Sequence, residues 1–176
     1  SKAAAYVIRH LEETGLRPLD ADGSWFQEFE WKSSRGPQTA KNILAVRPGR
    51  GALKDQAVIV TAHLDHLGMR TDAGPNEDAI FNGADDNASG VAALLLVAQA
   101  LGQEQVSLPA AHRTVIFASF DAEERGLAGA RHYEQHPVWP LEQTAAVINF
   151  DGMGRLRMGK VYASDAETCP ILAQAV

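Results

Sequence analysis

The chain has 176 residues, 45% of them hydrophobic and 22% charged, and a formal net charge of −6 at pH 7. This length and composition are typical of one globular domain, and the negative charge argues against a nucleic acid or an anionic membrane as partner, because an acidic surface repels polyanions. A single cysteine, Cys169, excludes an intramolecular disulfide and a cysteine-ligated zinc site, and no apolar run approaches the ~20 residues needed to span a bilayer.

The first third of the chain predicts a helix followed by two strands. Apolar residues recur at helical spacing from Ala4 to Leu11, with Ser1 as a cap, so an amphipathic helix is expected at the start. Residues 25–31 and 42–46 have the composition of strands and are separated by a polar stretch with a Gly-Pro turn.

Three short, continuous apolar runs predict strands that are buried on both faces, and helical patterns lie between them. The runs are residues 57–62, 114–120 and 145–150, and the helices are residues 89–101 and 127–134. This alternation indicates an α/β fold, a three-layer sandwich with a central, mostly parallel sheet flanked by helices, and we expect the three apolar strands at its middle.

Each of these strands runs directly into histidine or acidic residues. In open α/β sheets the binding crevice lies at the carboxyl ends of the strands, so these side chains are expected to meet there. They are His63 and Asp65 after the first strand, Glu123 and Glu124 after the second, and Asp151 after the third, with Asp85 and Asp86 at the start of the intervening helix.

So many carboxylates in one crevice require a cation. Two carboxylates ~4 Å apart repel by about 4 kcal/mol at an effective dielectric constant near 20. Divalent metals reverse the sign of this interaction, and mixed imidazole and carboxylate ligands suit zinc, or less selectively manganese or cobalt. The sequence therefore predicts a metal site with two ions that share a bridging carboxylate.

Four segments in succession carry a family resemblance. HLDHLG at 63–68, NGADDNASG at 82–90, EERGLAGARHY at 123–133 and NFDGMGR at 149–155 resemble the motifs of the M28 zinc peptidases, a family of aminopeptidases with an α/β core. Each segment alone is a weak signal, but four in the same order are specific. The resemblance implies a zinc exopeptidase-like fold and a hydrolase that removes N-terminal residues from peptides.

The resemblance also implies a role for each site residue. His63 and Asp151 would bind the first zinc ion, Asp86 would bridge both ions through a carboxylate oriented by a cis peptide bond to the next residue, and Glu124 would bind the second. Asp65 would hydrogen-bond to His63 from behind, and Glu123 would be the general base.

Other residues near the motifs have simpler interpretations. Asp85 is expected to stabilise the local turn rather than bind metal, and His66, His132 and His136 are expected to be ordinary surface residues. The family completes its second metal site with a downstream histidine, but no histidine follows Asp151 in this sequence. The final ligand is therefore expected beyond Val176, and residues 1–176 are expected to form a single zinc peptidase catalytic domain that is incomplete at its C-terminus.

The expected function is that of a zinc metalloaminopeptidase acting on peptides with a free N-terminus. Two alternatives remain: a glutaminyl cyclase-like zinc acyltransferase, and a non-catalytic receptor or scaffold on the same fold. Export to the periplasm or the extracellular space is expected, because relatives of this kind are often exported.

Overall fold

The structure is a computed structural model that describes residues 1–33, 36–103, 107–156, 158–160 and 162–168; Cys169 lies outside them. The described residues form three α-helices and six strands. The helices are α1 (Lys2–Glu13), α2 (Gly90–Gly102) and α3 (Ala128–Gln135), and the strands are β1 (Arg17–Pro18), β2 (Phe26–Ser33), β3 (Gly36–Arg47), β4 (Ala57–His63), β5 (Thr114–Phe120) and β6 (Thr144–Asn149).

The strands form one sheet in the order β1-β3-β5-β4-β6, with β2 paired to β3. Strand β4 pairs in parallel with β5 and β6, whereas β3 pairs antiparallel with β1, β2 and β5. The predicted α/β architecture is confirmed, but the sheet is mixed because the N-terminal strands enter as an antiparallel unit.

Helices cover both faces of this sheet. Alternate residues of a strand point to opposite faces, so Ile43 packs with α1 and α2, whereas Leu44 packs with Tyr133 of α3. Leu94 of α2 is fully buried in the first of these two clusters. The core therefore lies in two layers around the sheet.

The prediction that all three apolar strands lie in the middle of the sheet does not hold for β6. Among the described strands β6 pairs only with β4 and forms the edge of the sheet. Its residues alternate between half-buried and exposed, and Val147 is 58% exposed. In the described part of the chain no helix is long and apolar enough to cross a membrane.

Candidate metal centre

The sheet brings the predicted site residues to one edge. Strands β4, β5 and β6 are parallel to one another, so their carboxyl ends lie side by side. Strand β4 ends at His63, a short helical turn carrying Glu123 and Glu124 follows β5, and Asp151 follows β6. Residues from three separate parts of the sequence therefore meet at one place, as predicted.

His63 is the buried centre of the first cluster, with 4% of its side chain exposed. Its Nε2 lies 3.0 Å from Oδ1 of Asp86 and 3.6 Å from Oδ1 of Asp151. Its Nδ1 lies 3.1 Å from the main-chain oxygen of Asp65, and a donor is needed there because a carbonyl oxygen only accepts. With a proton on Nδ1, Nε2 is the nitrogen that faces the two carboxylates, and loss of its own proton would leave it free to bind a metal.

The carboxylate of Asp65 has a different partner from the one we expected. It lies 3.8 Å from Nδ1 of His63, which bonds instead to the Asp65 main chain. The carboxylate accepts hydrogen bonds from the main-chain N–H groups of Glu123 (2.8 Å) and Glu124 (3.3 Å). Burial alone would raise the pKa of Asp65, but the adjacent His63 ring and these two amides outweigh it and lower that pKa. Asp65 therefore fixes the turn that carries both glutamates.

A second cluster shares Asp86 with the first. Nδ1 of His66 lies 2.7 Å from Oε1 of Glu124 and 4.0 Å from Oδ1 of Asp86. The ligand atoms of these three residues lie within 4.8 Å of one another. The same limit holds within the first group, which is His63, Asp86 and Asp151. Asp86 therefore belongs to both groups of potential metal ligands, as a bridging carboxylate must.

His66 is the residue that the sequence analysis misjudged, because a histidine in a polar loop is usually a surface residue. The available signal was the second histidine of HLDH, which follows His63 by three residues and contacts Glu124. His132 and His136, by contrast, stack on each other with ring centroids 4.6 Å apart at the end of α3, and neither belongs to a ligand cluster of the described residues.

Glu123 lies beside the first cluster without being part of it. Its Oε2 is 4.0 Å from Nε2 of His63, and about a third of its side chain is exposed. Burial raises the pKa of Glu123; a positive charge on His63 works against this, and the negative charges of Glu124 and Asp151 add to it. A carboxylate with a raised pKa at the edge of a metal cluster is suited to accepting a proton.

Three consecutive residues of the segment before α2 point in three directions. Asp85 accepts a hydrogen bond from the N–H of Gly154 (2.7 Å), so it faces away from the metal cluster, as expected. Asp86 faces His63, and the bond between Asp86 and Asn87 is cis, as the resemblance implied. Asn87 donates to the main-chain oxygen of Phe150 (2.9 Å). The flanking residues tie the segment to the end of β6 and leave Asp86 to face the site.

The glutamate turn is held by a buried residue that the sequence analysis did not identify. Asn42 of β3 has no exposed surface; its Oδ1 accepts from the N–H of Asp121 (3.1 Å) and its Nδ2 donates to the main-chain oxygen of Gly129 (2.9 Å). A Cβ on Gly129 would collide with Asn42, so the helix can approach only with glycine there. Nothing in the local pattern of β3 distinguishes Asn42 from an exposed polar residue.

The charges of the first cluster fit a divalent metal. Burial lowers the pKa of His63, but the nearby Asp65 carboxylate and the negative charges of Asp151 and Glu123 outweigh this and raise it to about 9. The cluster therefore attracts positive charge strongly. One imidazole nitrogen with two carboxylate oxygens is a set of donors that zinc accepts.

Comparison with known proteins agrees with this geometry. The model of peptidase family M28 matches residues 42–175. The chain belongs to this family. Aminopeptidase YwaD of Bacillus subtilis is 32% identical over 118 residues, which are 66% of this chain and 22% of that protein. The probable lipoprotein aminopeptidase LpqL of Mycobacterium tuberculosis is 31% identical over 159 residues, which are 83% of this chain and 28% of that protein.

Solved structures have the same fold. Glutaminyl cyclase of Porphyromonas gingivalis superposes with a TM-score of 0.64 at 24% identity, covering 85% of this chain and 51% of that one. A Zn-dependent exopeptidase from Parabacteroides distasonis has a TM-score of 0.64 at 23% identity, covering 85% of this chain and 52% of that one. The chain thus spans about half of these structures and about a quarter of the two M28 relatives.

Proposed function

We propose that this protein is a metalloaminopeptidase that removes N-terminal residues from peptides with water activated by two zinc ions. The observation that carries the proposal is the pair of ligand clusters that share Asp86, with the unligated carboxylate of Glu123 4.0 Å from His63. The aminopeptidase names of the M28 relatives support the same activity. We further propose that residues 1–176 lie within a single catalytic domain.

His63, Asp86 and Asp151 would hold the first zinc ion, and Asp86 and Glu124 the second. When bound, zinc supplies a Lewis acid that polarises the scissile carbonyl and lowers the pKa of a bound water to about 7. Asp65 holds both glutamates through their amides. In this position Glu124 would bind the metal and Glu123 would face the substrate.

Glu123 would act as the general base. Its raised pKa brings it closer to neutrality, where proton transfer in both directions is efficient. Its carboxylate takes a proton from the attacking water and then gives it to the leaving amine as the peptide bond breaks. A group in this role typically contributes on the order of 10²–10⁴ in rate.

The surroundings of the site support a peptide with a free, positively charged N-terminus. The chain has a net charge of −6, and an acidic protein attracts a positively charged group to its surface. A cavity of about 250 Å³ beside Glu123 offers room for a side chain, with an apolar wall formed by Phe120, Leu127, Ala130 and Val147. We therefore expect apolar N-terminal residues to be preferred.

The test is hydrolysis by the full chain with added zinc. Leucine p-nitroanilide should be cleaved and its N-acetylated form should not, and EDTA should abolish the activity until zinc or cobalt is restored. Activity that survives complete metal removal would contradict the proposal. Release of ammonia from glutaminyl peptides without hydrolysis would support a glutaminyl cyclase-like acyltransferase, and tight zinc binding with neither reaction would support a receptor or scaffold.

Export is a separate part of the proposal. Its support is that LpqL, a relative at 31% identity, is described as a lipoprotein. Fractionation of cells that express the native gene tests it, and recovery of the protein only with cytosolic markers would contradict it.

A further inference from the structure

The second ligand cluster contains an imidazole from within the described chain. We propose that Nδ1 of His66 is a direct ligand of the second metal ion, together with Asp86 and Glu124. The inference rests on the dinuclear site of the proposed function and goes beyond it, because the sequence analysis expected the histidine of this site downstream of Asp151.

The distances around His66 match those between ligands of one ion. Nδ1 is 2.7 Å from Oε1 of Glu124 and 4.0 Å from Oδ1 of Asp86. Bonds of 2.0–2.2 Å in a tetrahedral zinc site separate ligand atoms by about 3.3–3.6 Å, a range between these two distances. Small rotations of two side chains therefore convert the observed arrangement into a coordination shell.

The ring of His66 is held in place by the same segment that carries Asp86. Gly83 adopts a left-handed conformation (φ 64°), and a Cβ there would lie 2.7 Å from the main-chain oxygen of Asp86 and 3.0 Å from Cδ2 of His66, so a larger residue would disturb both neighbours. Phe81 meets the ring edge-on, with centroids 6.4 Å apart. About a fifth of the His66 side chain is exposed, so water and ions can reach the site.

The competing interpretation is that His66 only donates a hydrogen bond to Glu124 and thereby positions it. Such outer partners of metal ligands typically contribute ~10–100-fold to metal affinity. The two interpretations differ in the state of Nδ1: a hydrogen-bond donor keeps its proton when zinc binds, whereas a ligand must lose it.

Nuclear magnetic resonance of the histidine rings in the ¹⁵N-labelled full chain tests this directly during a zinc titration. We expect Nδ1 of His66 to change to the shift of a metal-bound nitrogen at the second equivalent of zinc. A His66 Nδ1 that keeps its proton in the zinc-loaded protein would overturn the inference. This measurement does not depend on a variant that folds.

A second test measures zinc affinity by calorimetry in two variants, His66→Ala and His132→Ala. Circular dichroism first verifies that both are folded. His66→Ala should lose more than ~100-fold in affinity at the second site and keep the first, whereas His132→Ala should match the unmodified chain. If His66→Ala keeps two sites of unchanged affinity, this inference is overturned but the proposed function is not. No zinc binding by the unmodified chain would instead overturn the proposed function.

Discussion

The role of Asp65 can be tested separately from catalysis, because its carboxylate bonds to main-chain amides. Replacing it by asparagine keeps the shape of the side chain and one acceptor oxygen but exchanges the other for an NH₂ group. The remaining oxygen can keep the shorter bond, to the N–H of Glu123 (2.8 Å), while the N–H of Glu124 (3.3 Å) then faces a donor. Asp65→Asn should therefore destabilise the metal-free protein.

The magnitude follows from the bonds that are lost. A hydrogen bond to a charged group is worth about 1.5–3 kcal/mol, and a bond retained by a neutral amide is worth less than the same bond to a carboxylate. We expect a loss of about 2–3 kcal/mol in the free energy of unfolding for Asp65→Asn. Asp65→Ala, which loses both acceptors, should lose about 3–5 kcal/mol.

Urea denaturation in EDTA, followed by circular dichroism, measures this loss without a contribution from bound metal. Asp55→Asn is the matched control, because Asp55 is exposed at the opposite end of β4. The pKa of Asp65 is lowered in the folded state, so its contribution is fully present above its ordinary pKa and is lost as the pH falls through the lowered one. The difference between the unmodified chain and Asp65→Asn should therefore shrink in acid, and a difference no larger than that of Asp55→Asn at pH 7 would refute this account.

Three further predictions concern the metal and the packing around it. Glu123→Gln should lower kcat by on the order of 10²–10⁴ with zinc affinity retained, whereas Glu124→Gln should weaken zinc binding; calorimetry and kinetics that reverse these phenotypes would contradict the assignment. Because the pKa of His63 is raised to about 9, its ring is protonated at pH 7 and zinc must displace that proton, so zinc affinity should rise with pH up to about 9. Calorimetry in buffers of different protonation enthalpy measures the proton release, and a pH-independent affinity would count against it. Gly90→Ala should lower the thermal midpoint, because a Cβ there collides with a neighbouring carbonyl oxygen, while Gly74→Ala, which meets only ordinary contacts, should not.

The central strands and the ligands of the first cluster could be predicted from sequence because each depends on a local pattern. An apolar run that ends in His63 specifies both the buried strand and the direction of the residue that follows it. Parallel pairing then brings Asp151 to the same edge, whatever its distance along the chain. The edge position of β6 could not be predicted in this way, because pairing partners are set by the whole sheet.

Three contacts could not be predicted from the sequence for a related reason. They are those of His66, Asn42 and the Asp65 carboxylate. Each depends on the approach of two segments that are 58 or more residues apart, such as Asp65 with the amide of Glu123. A sequence pattern indicates that a polar side chain exists, but only the fold determines whether a main-chain amide or another side chain stands opposite it.

These contacts explain how the ligands converge on one place. His63 is fixed by its place at the end of a buried strand, and Glu124 by the carboxylate of Asp65. Asp86 is fixed by its neighbours. One of them, Asp85, accepts a hydrogen bond from Gly154 in the segment after β6, where Asp151 also lies. The organisation of the site therefore rests on main-chain hydrogen bonds as well as on the charge neutralisation that a bound metal ion would add.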